Sequence, residues 1–134
     1  MTPTSRTAET GIITKDSPRS VADTVARLTD LIEERGLKLF AVIDQTEEAR
    51  NVGLQLRPTT LVLFGSPLAG TPVMDSTPLA ALDLPLKILV WADQGRAHIS
   101  YLSPAALAAR YDLHAHLANN LAGINPLTDA LVAE

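Results

Sequence analysis

Three side chains of this sequence could do acid–base chemistry from positions that a fold would hold still. Asp44 closes the apolar run Leu37–Ile43, and a carboxylate where a buried strand ends could act as a base or contact a ligand. It could equally cap the helix that follows, or pair with Lys87 or an arginine. The structural role is the weightier one, since ion pairing also perturbs carboxylates. Lys87 interrupts an apolar strand. Such a lysine can have a lowered pKa and serve as a base or Schiff-base nucleophile. More often it snorkels at a sheet edge or pairs with an acid such as Asp83. Tyr101 could join Lys87 and Trp91 if strand register brings them together. Gly65-Ser66-Pro67 and Gly70-Thr71-Pro72 make a small-residue loop between two core strands, whose bare N–H groups could cradle an anion or line a pocket. Without a Gly-Lys-Ser/Thr signature it is not a phosphate loop, and an ordinary packed turn accounts for the same residues. A serine hydrolase is excluded at the first step: Pro67 follows Ser66 and has no N–H to offer an oxyanion. His114 and His116, two apart on a helix, would point in opposed directions, and His98 stands alone, so no metal site is expected.

The elements that must carry these residues follow from periodicity. Residues 1–6 read as a flexible tail, and Thr7–Thr14 as a strand weakened by Gly11. Ser17-Pro18 and Ser20/Asp23 are overlapping capping signals. Val21, Val25, Leu28 and Ile32 then mark one helical face, with Gly36 placed to end the helix. Leu37–Ile43 is a strand, Glu47–Val52 a short helix, and the run from Thr60 to Phe64 a strand covered on both faces. A loop runs to Pro72, and Pro78–Leu82 makes one or two helical turns. Pro85–Ala92 and Arg96–Leu102 form a hairpin about Asp93-Gln94-Gly95. In its first strand Leu86, Ile88, Val90 and Ala92 share one face, while Lys87, Leu89, Trp91 and Asp93 share the other, which is not plain core. Ser103-Pro104 opens a helix, Leu113, Leu117 and Leu121 continue a stripe, and Asn125-Pro126 starts a last helix. The order gives an α+β domain around one mostly antiparallel sheet of four or five strands, occupying residues 7–134.

Composition removes several functions. The chain has 134 residues, a formal charge of −4 and only five aromatic residues, so it offers neither a basic footprint nor a stacking platform for nucleic acid. It has no cysteine, which removes disulfides, thiolate metal sites and thiol nucleophiles. Met1–Gly11 lacks the apolar core of a signal peptide, and no run of about 18 apolar residues exists to span a bilayer. A cytoplasmic location and no membrane partner are expected.

The stretch from Pro58 to Lys87, PTTLVLFGSPLAGTPVMDSTPLAALDLPLK, then Trp91-Ala92-Asp93 and Gly95, is more specific than periodicity requires. It resembles the bacterial and archaeal family called domain of unknown function 302. That family's pattern has Pro-Thr before an apolar strand, a Phe-Gly-Asn-Pro turn, Gly-Thr, a methionine, and Leu-Asp-Leu-Pro-Leu-Lys. The likeness extends back through Ile43-Asp44, Ala49 and Gly53 and forward to Tyr101 and Pro104. The resemblance implies a β-α-β(4)-α-like layout, similar in outline to the TATA-binding-protein-like folds, and a homodimer. It supplies no activity, and the outline is no argument for DNA binding. Three positions depart from the family's pattern: Gln45 stands for a histidine, Ser66 for an asparagine, and Tyr111 for the histidine of an Arg-His pair.

These readings together lead to a non-catalytic small-molecule-binding or interaction domain acting as a cytoplasmic homodimer. Its candidate ligand-binding residues are Asp44, Thr59, Gly65, Ser66, Gly70, Thr71, Lys87, Trp91 and Tyr101. No cofactor or metal is implied. The alternative is a small-molecule enzyme using Asp44, Lys87 or Tyr101 as acid or base, which requires those side chains to converge in a cleft.

Overall fold

The structure, a computed structural model, describes residues 5–134 except Glu9. Its centre is one antiparallel sheet of six strands in the order β1-β2-β6-β5-β4-β3. The strands are β1 Ser5–Thr7, β2 Ile12–Asp16, β3 Lys38–Asp44, β4 Thr59–Gly65, β5 Leu86–Asp93 and β6 Arg96–Leu102. Six strands replace the expected four or five because the stretch read as one strand is a hairpin. Gly11 sits at φ +84° and turns β2 back on β1. Ser5 and Arg6, expected in a tail, belong to β1, and residues 1–4 of that tail lie outside the described residues.

Helix α1, Val21–Glu34, starts at the second of its two capping signals. Ser20 is the N-cap, and its hydroxyl accepts from the Asp23 N–H. Leu28, Leu31 and Ile32 bury its apolar stripe against Val62, Ile88, Val90 and Ile99 of the sheet. Helix α6, Ile124–Val132, adds Leu127 and Leu131 to that core. Two arginines hold the C-terminal end of α6: Arg19 donates to the Leu131 and Ala133 carbonyls, and Arg27 to that of Ala130. The last carbonyls of a helix lack intrahelical donors, and here, among the described residues, only that of Ala130 also accepts a backbone N–H, from Ala133 at 3.4 Å.

A second, smaller core lies around Val73, Ala80, Leu107, Leu117 and Leu121. It is built by α3 Pro67–Ser76, the 3-10 turn Pro78–Asp83, α4 Pro104–Tyr111 and α5 Ala115–Asn119. Helix α3 occupies the segment expected to be a loop. Ser66 caps it by accepting from the Ala69 N–H, and Pro67 takes the first helical position, where its missing N–H is harmless. Asparagine is as good a cap as serine, so the Ser66 departure leaves this role intact. The short helix α2, Gln45–Asn51, begins two residues earlier than expected, with Asp44 as its cap.

Apart from its edge at Leu102, which packs on the second core, one face of the sheet carries no described helix of either core. Ile43, Leu61, Leu63, Leu89 and Trp91 are half-buried there and belong to neither core. Register sets the membership of that face: Leu61 opposes Ile43 and Leu89, Leu89 opposes Ser100, and Trp91 opposes Thr59 and His98. The parity read from β5 holds, with Ile88 and Val90 fully buried on the helix-covered side.

Candidate functional site

The Gly65–Thr71 stretch lines a hollow of about 520 Å³ at the end of the sheet where β4, α1, α3 and the α5–α6 connection meet. Gly65, Ser66, Gly70 and Thr71 form one wall. Phe64, which is 2% exposed, lies against the core, and Leu37, Met74 and Leu86 complete an apolar lining. Phe40 contributes because a bulge shifts the β3 register between Leu39 and Ala41, leaving Phe40 as the extra residue. Polar groups are few: Arg35, Ser66, Thr71 and Asn120. Asn120 also closes the rim by donating its Nδ2 to the Ala69 carbonyl at 3.2 Å. The volume falls within the ~300–1,000 Å³ range of pockets that hold small molecules.

The remaining candidates lie elsewhere. Asp44 and Thr59 line a wider groove of about 1220 Å³ at the opposite end of the strands, beside the start of α1 and the β5–β6 hairpin. The Asp44 carboxylate accepts from the Glu47 N–H at 3.0 Å, which is the capping role. Lys87 and Tyr101 both touch a hollow of about 400 Å³. Their polar ends part, however, because Tyr101 pairs with Ile13 in β2, on the helix-covered side. The Tyr101 hydroxyl donates to Asn125 Oδ1 at 2.7 Å, while Lys87 Nζ donates to the Pro85 carbonyl at 3.4 Å. Trp91 is on the open face, its Nε1 donating to Ser100 Oγ at 2.9 Å. Asp44, Lys87 and Tyr101 therefore share no single cleft.

The histidines differ from expectation in one respect. His114 is the N-cap of α5 rather than a residue within a helix, and this extended backbone lets its ring stack on that of His116, with centroids 6.0 Å apart. The opposed directions expected of a helical pair therefore do not apply. His98 shares a hydrogen bond with Asp16 Oδ1 at 2.8 Å and packs against Trp91. Among the described residues no group of three His, Cys, Asp or Glu side chains is placed to hold a metal ion.

Two clusters escaped the sequence reading. Lys15 is 6% exposed, and its Nζ donates to Thr128 Oγ1 at 2.7 Å and to Asp129 Oδ1 at 2.8 Å, 5.3 Å from the Tyr101 ring centre. Strand parity carried a signal for it, since Lys15 shares its face with buried-side Ile13. The other cluster is Asp83, whose Oδ2 accepts from the Tyr111 hydroxyl and from Arg110 Nη1, the latter at 3.0 Å. The Tyr111 hydrogen bond chiefly holds the Asp83 carboxyl below its usual range. Burial opposes this, and the hydrogen bond and charge of Arg110 and the charge of Lys87 add to the lowering. Tyr111, a departure from the family's histidine, thus keeps a donor at that point. A carboxylate with a depressed folded pKa contributes stability that is present above its unfolded pKa, about 3.9, and lost as pH falls through the folded value. Tyr111→Phe should therefore narrow the difference in melting temperature between pH 7 and pH 3, and an unchanged difference would refute the linkage.

A six-stranded antiparallel sheet covered by helices on one face, with an apolar hollow at one end, defines a small α+β domain. Residues 13–131 match the domain of unknown function DUF302, and the chain belongs to that family. A crystal structure of an uncharacterized conserved DUF302 protein from Bacillus stearothermophilus superposes with a TM-score of 0.77 at 21% identity, covering 91% of this chain and 95% of that one. That likeness establishes the fold. The chain is also 36% identical over 106 residues to proteins named fluoride-specific ion channel FluC 1, from Brucella suis and Brucella abortus. A protein named FluC 2 from Brucella melitensis matches equally. The match covers 78% of this chain but only 42% or 39% of those relatives. No described helix of this chain is long and apolar enough to cross a membrane.

Proposed function

We propose that this protein is a non-catalytic cytoplasmic binding domain that takes a small, largely apolar molecule into the hollow beside α3 and works as a homodimer. The observation that carries the reading is the hollow itself, about 520 Å³ with apolar walls and few polar groups. The separation of Asp44 from Lys87 and Tyr101 weighs against the enzymatic alternative.

The hollow can be filled from within. A Cβ added at Gly70 would meet only the Met74 Cε at 3.9 Å, so a larger side chain there has room to enter the space. Wild-type protein should melt several degrees higher when saturated with 1-decanol, by preferential binding to the folded state. Gly70→Phe, checked for folding by circular dichroism, should lose that rise. A rise preserved in the variant would place the binding elsewhere.

The dimer reading rests on the open face. Its polar atoms satisfy one another: Ser100 Oγ is 2.8 Å from Thr14 Oγ1 and accepts from Trp91 Nε1, while His98 meets Asp16. Those side chains can lose water together, and Lys87 on the same face keeps its ammonium at the rim of the interface. Six strands of three to eight residues, ~4.8 Å apart, present on the order of 600 Å², somewhat below the ~800 Å² per partner of a standard interface. Leu89 is central to it, and Leu89→Arg should convert a dimer into a monomer in sedimentation velocity. A dimer that survives the change would move the interface to another surface.

A further inference from the structure

The hollow beside α3 is apolar in its depth and carries its charge at its mouth, where Lys38 Nζ also stands 5.2 Å from the ring centre of the lining residue Phe40. Arg35 is the sole charged residue in its lining, and its guanidinium makes no ion pair or hydrogen bond among the described residues. The other cations near helices in this fold are engaged: Arg19 and Arg27 on α6 carbonyls, Arg50 on Glu47, Arg57 on Asp93, and Arg110 on Asp83. Arg35 is instead exposed, beside the aromatic and aliphatic wall made by Leu37, Phe40 and Phe64. Phe40 is 47% exposed and Phe64 2%, so the wall runs from solvent down to the core. The N-terminal end of α3, the positive end of its dipole, opens on the same space and adds to the field of the arginine. Among the described residues no carboxylate lines the hollow to oppose them.

We infer that the ligand is an amphipathic carboxylic acid, its hydrocarbon part lying against Phe64 and Phe40 and its carboxylate held by Arg35. The inference rests on the hollow being a ligand site, and it adds the chemical class. A planar guanidinium offers a carboxylate two parallel N–H donors, which a neutral alcohol head cannot exploit. The apolar wall supplies most of the affinity, since burial of hydrocarbon needs no particular head group.

The test is isothermal titration calorimetry of the full chain with decanoate and with 1-decanol, each below its aggregation threshold, at neutral pH. Wild-type protein should bind one decanoate per chain about five- to tenfold tighter than decanol, as befits one partly solvated charge-assisted contact. Arg35→Gln should bring decanoate down to the level of decanol and leave decanol unchanged, and Arg35→Glu should push decanoate below it. Arg35 is exposed at the helix terminus, so both variants keep the fold. Equal binding of the two probes by wild type, or full decanoate affinity in Arg35→Gln, would overturn the acid head while leaving the hollow as the site. Absence of binding by both probes would overturn the inference together with the hollow.

Discussion

Gly11→Ala should destabilise the protein by roughly 2–4 kcal/mol, the sum of a left-handed backbone imposed on a residue with a side chain and an overpacked contact. Gly11 holds φ +84° in the β1–β2 turn, and a Cβ built there would lie 2.4 Å from the Ala106 Cβ. Ala106 is in α4, whose start is fixed by its Ser103 cap and by the Ser103 N–H donating to the Gly11 carbonyl at 2.8 Å. Neither partner can retreat without losing that bond. Chemical denaturation would read the change as a lower midpoint with the slope retained. A companion, Gly36→Ala, separates the two causes: Gly36 also has positive φ, at 69°, but nothing within 4 Å of an added Cβ. It should show only the backbone part, about 1 kcal/mol. Equal effects at the two glycines would refute the role given to Ala106.

Lys15→Ala should lower stability by about 2 kcal/mol, from the lost packing of its buried stem and the lost hydrogen bond to Thr128. Lys15 joins β2 to α6, with its ammonium on Thr128 and Asp129 and its neighbour Tyr101 bonded to Asn125. Thr128 is fully buried and keeps its own bond to the Ile124 carbonyl at 2.8 Å, while Asp129 is exposed, so neither is left stranded in the core. The loss falls instead on the packing of the lysine stem and on the attachment of α6. Lys15→Met retains the stem and should lose about half as much. If Met and Ala variants melted alike, the ammonium rather than the stem would carry the attachment. If neither melted lower than wild type, the network would contribute nothing to the fold.

Much of the scaffold was legible where local chemistry and tertiary packing agree. Helix α1 declared itself through its apolar stripe and Gly36, and the β5–β6 hairpin through Asp93-Gln94-Gly95, where Gln94 and Gly95 both take positive φ. Helix α3 was not legible, because Gly70 and Pro72 are usual in loops. The helix tolerates them since Ser66 and Pro67 start it well and Pro72 forgoes a single backbone bond. The same Ser-Pro device was recognised at Ser103-Pro104, where alanines rather than a glycine and a second proline follow. The first strand was misjudged because a glycine within a strand and a glycine at a turn look alike until the partner strand is known.

The candidate site was half legible for a related reason. Gly65, Ser66, Gly70 and Thr71 are close in sequence, and their small size marked them as a wall. The opposite wall comes from Arg35, Phe40 and Asn120, brought in by a helix end, a bulge and a connection far along the chain. A bulge breaks the alternation on which strand parity depends, so no periodic reading could place Phe40. Asp44 drew attention for sitting at a strand end, and its position there serves the cap of α2. Tyr101 was grouped with Lys87 and Trp91 for want of register. One residue decides that question, because side chains alternate faces and Ser100 rather than Tyr101 stands opposite Leu89.

The most direct test of the binding-domain account is native mass spectrometry of the protein purified gently, without steps that strip bound molecules, in wild-type and Gly70→Phe forms. The account predicts a wild-type dimer carrying added mass, one small molecule per chain, and a Gly70→Phe dimer without it. A bare wild-type monomer, or added mass retained by Gly70→Phe, would contradict it.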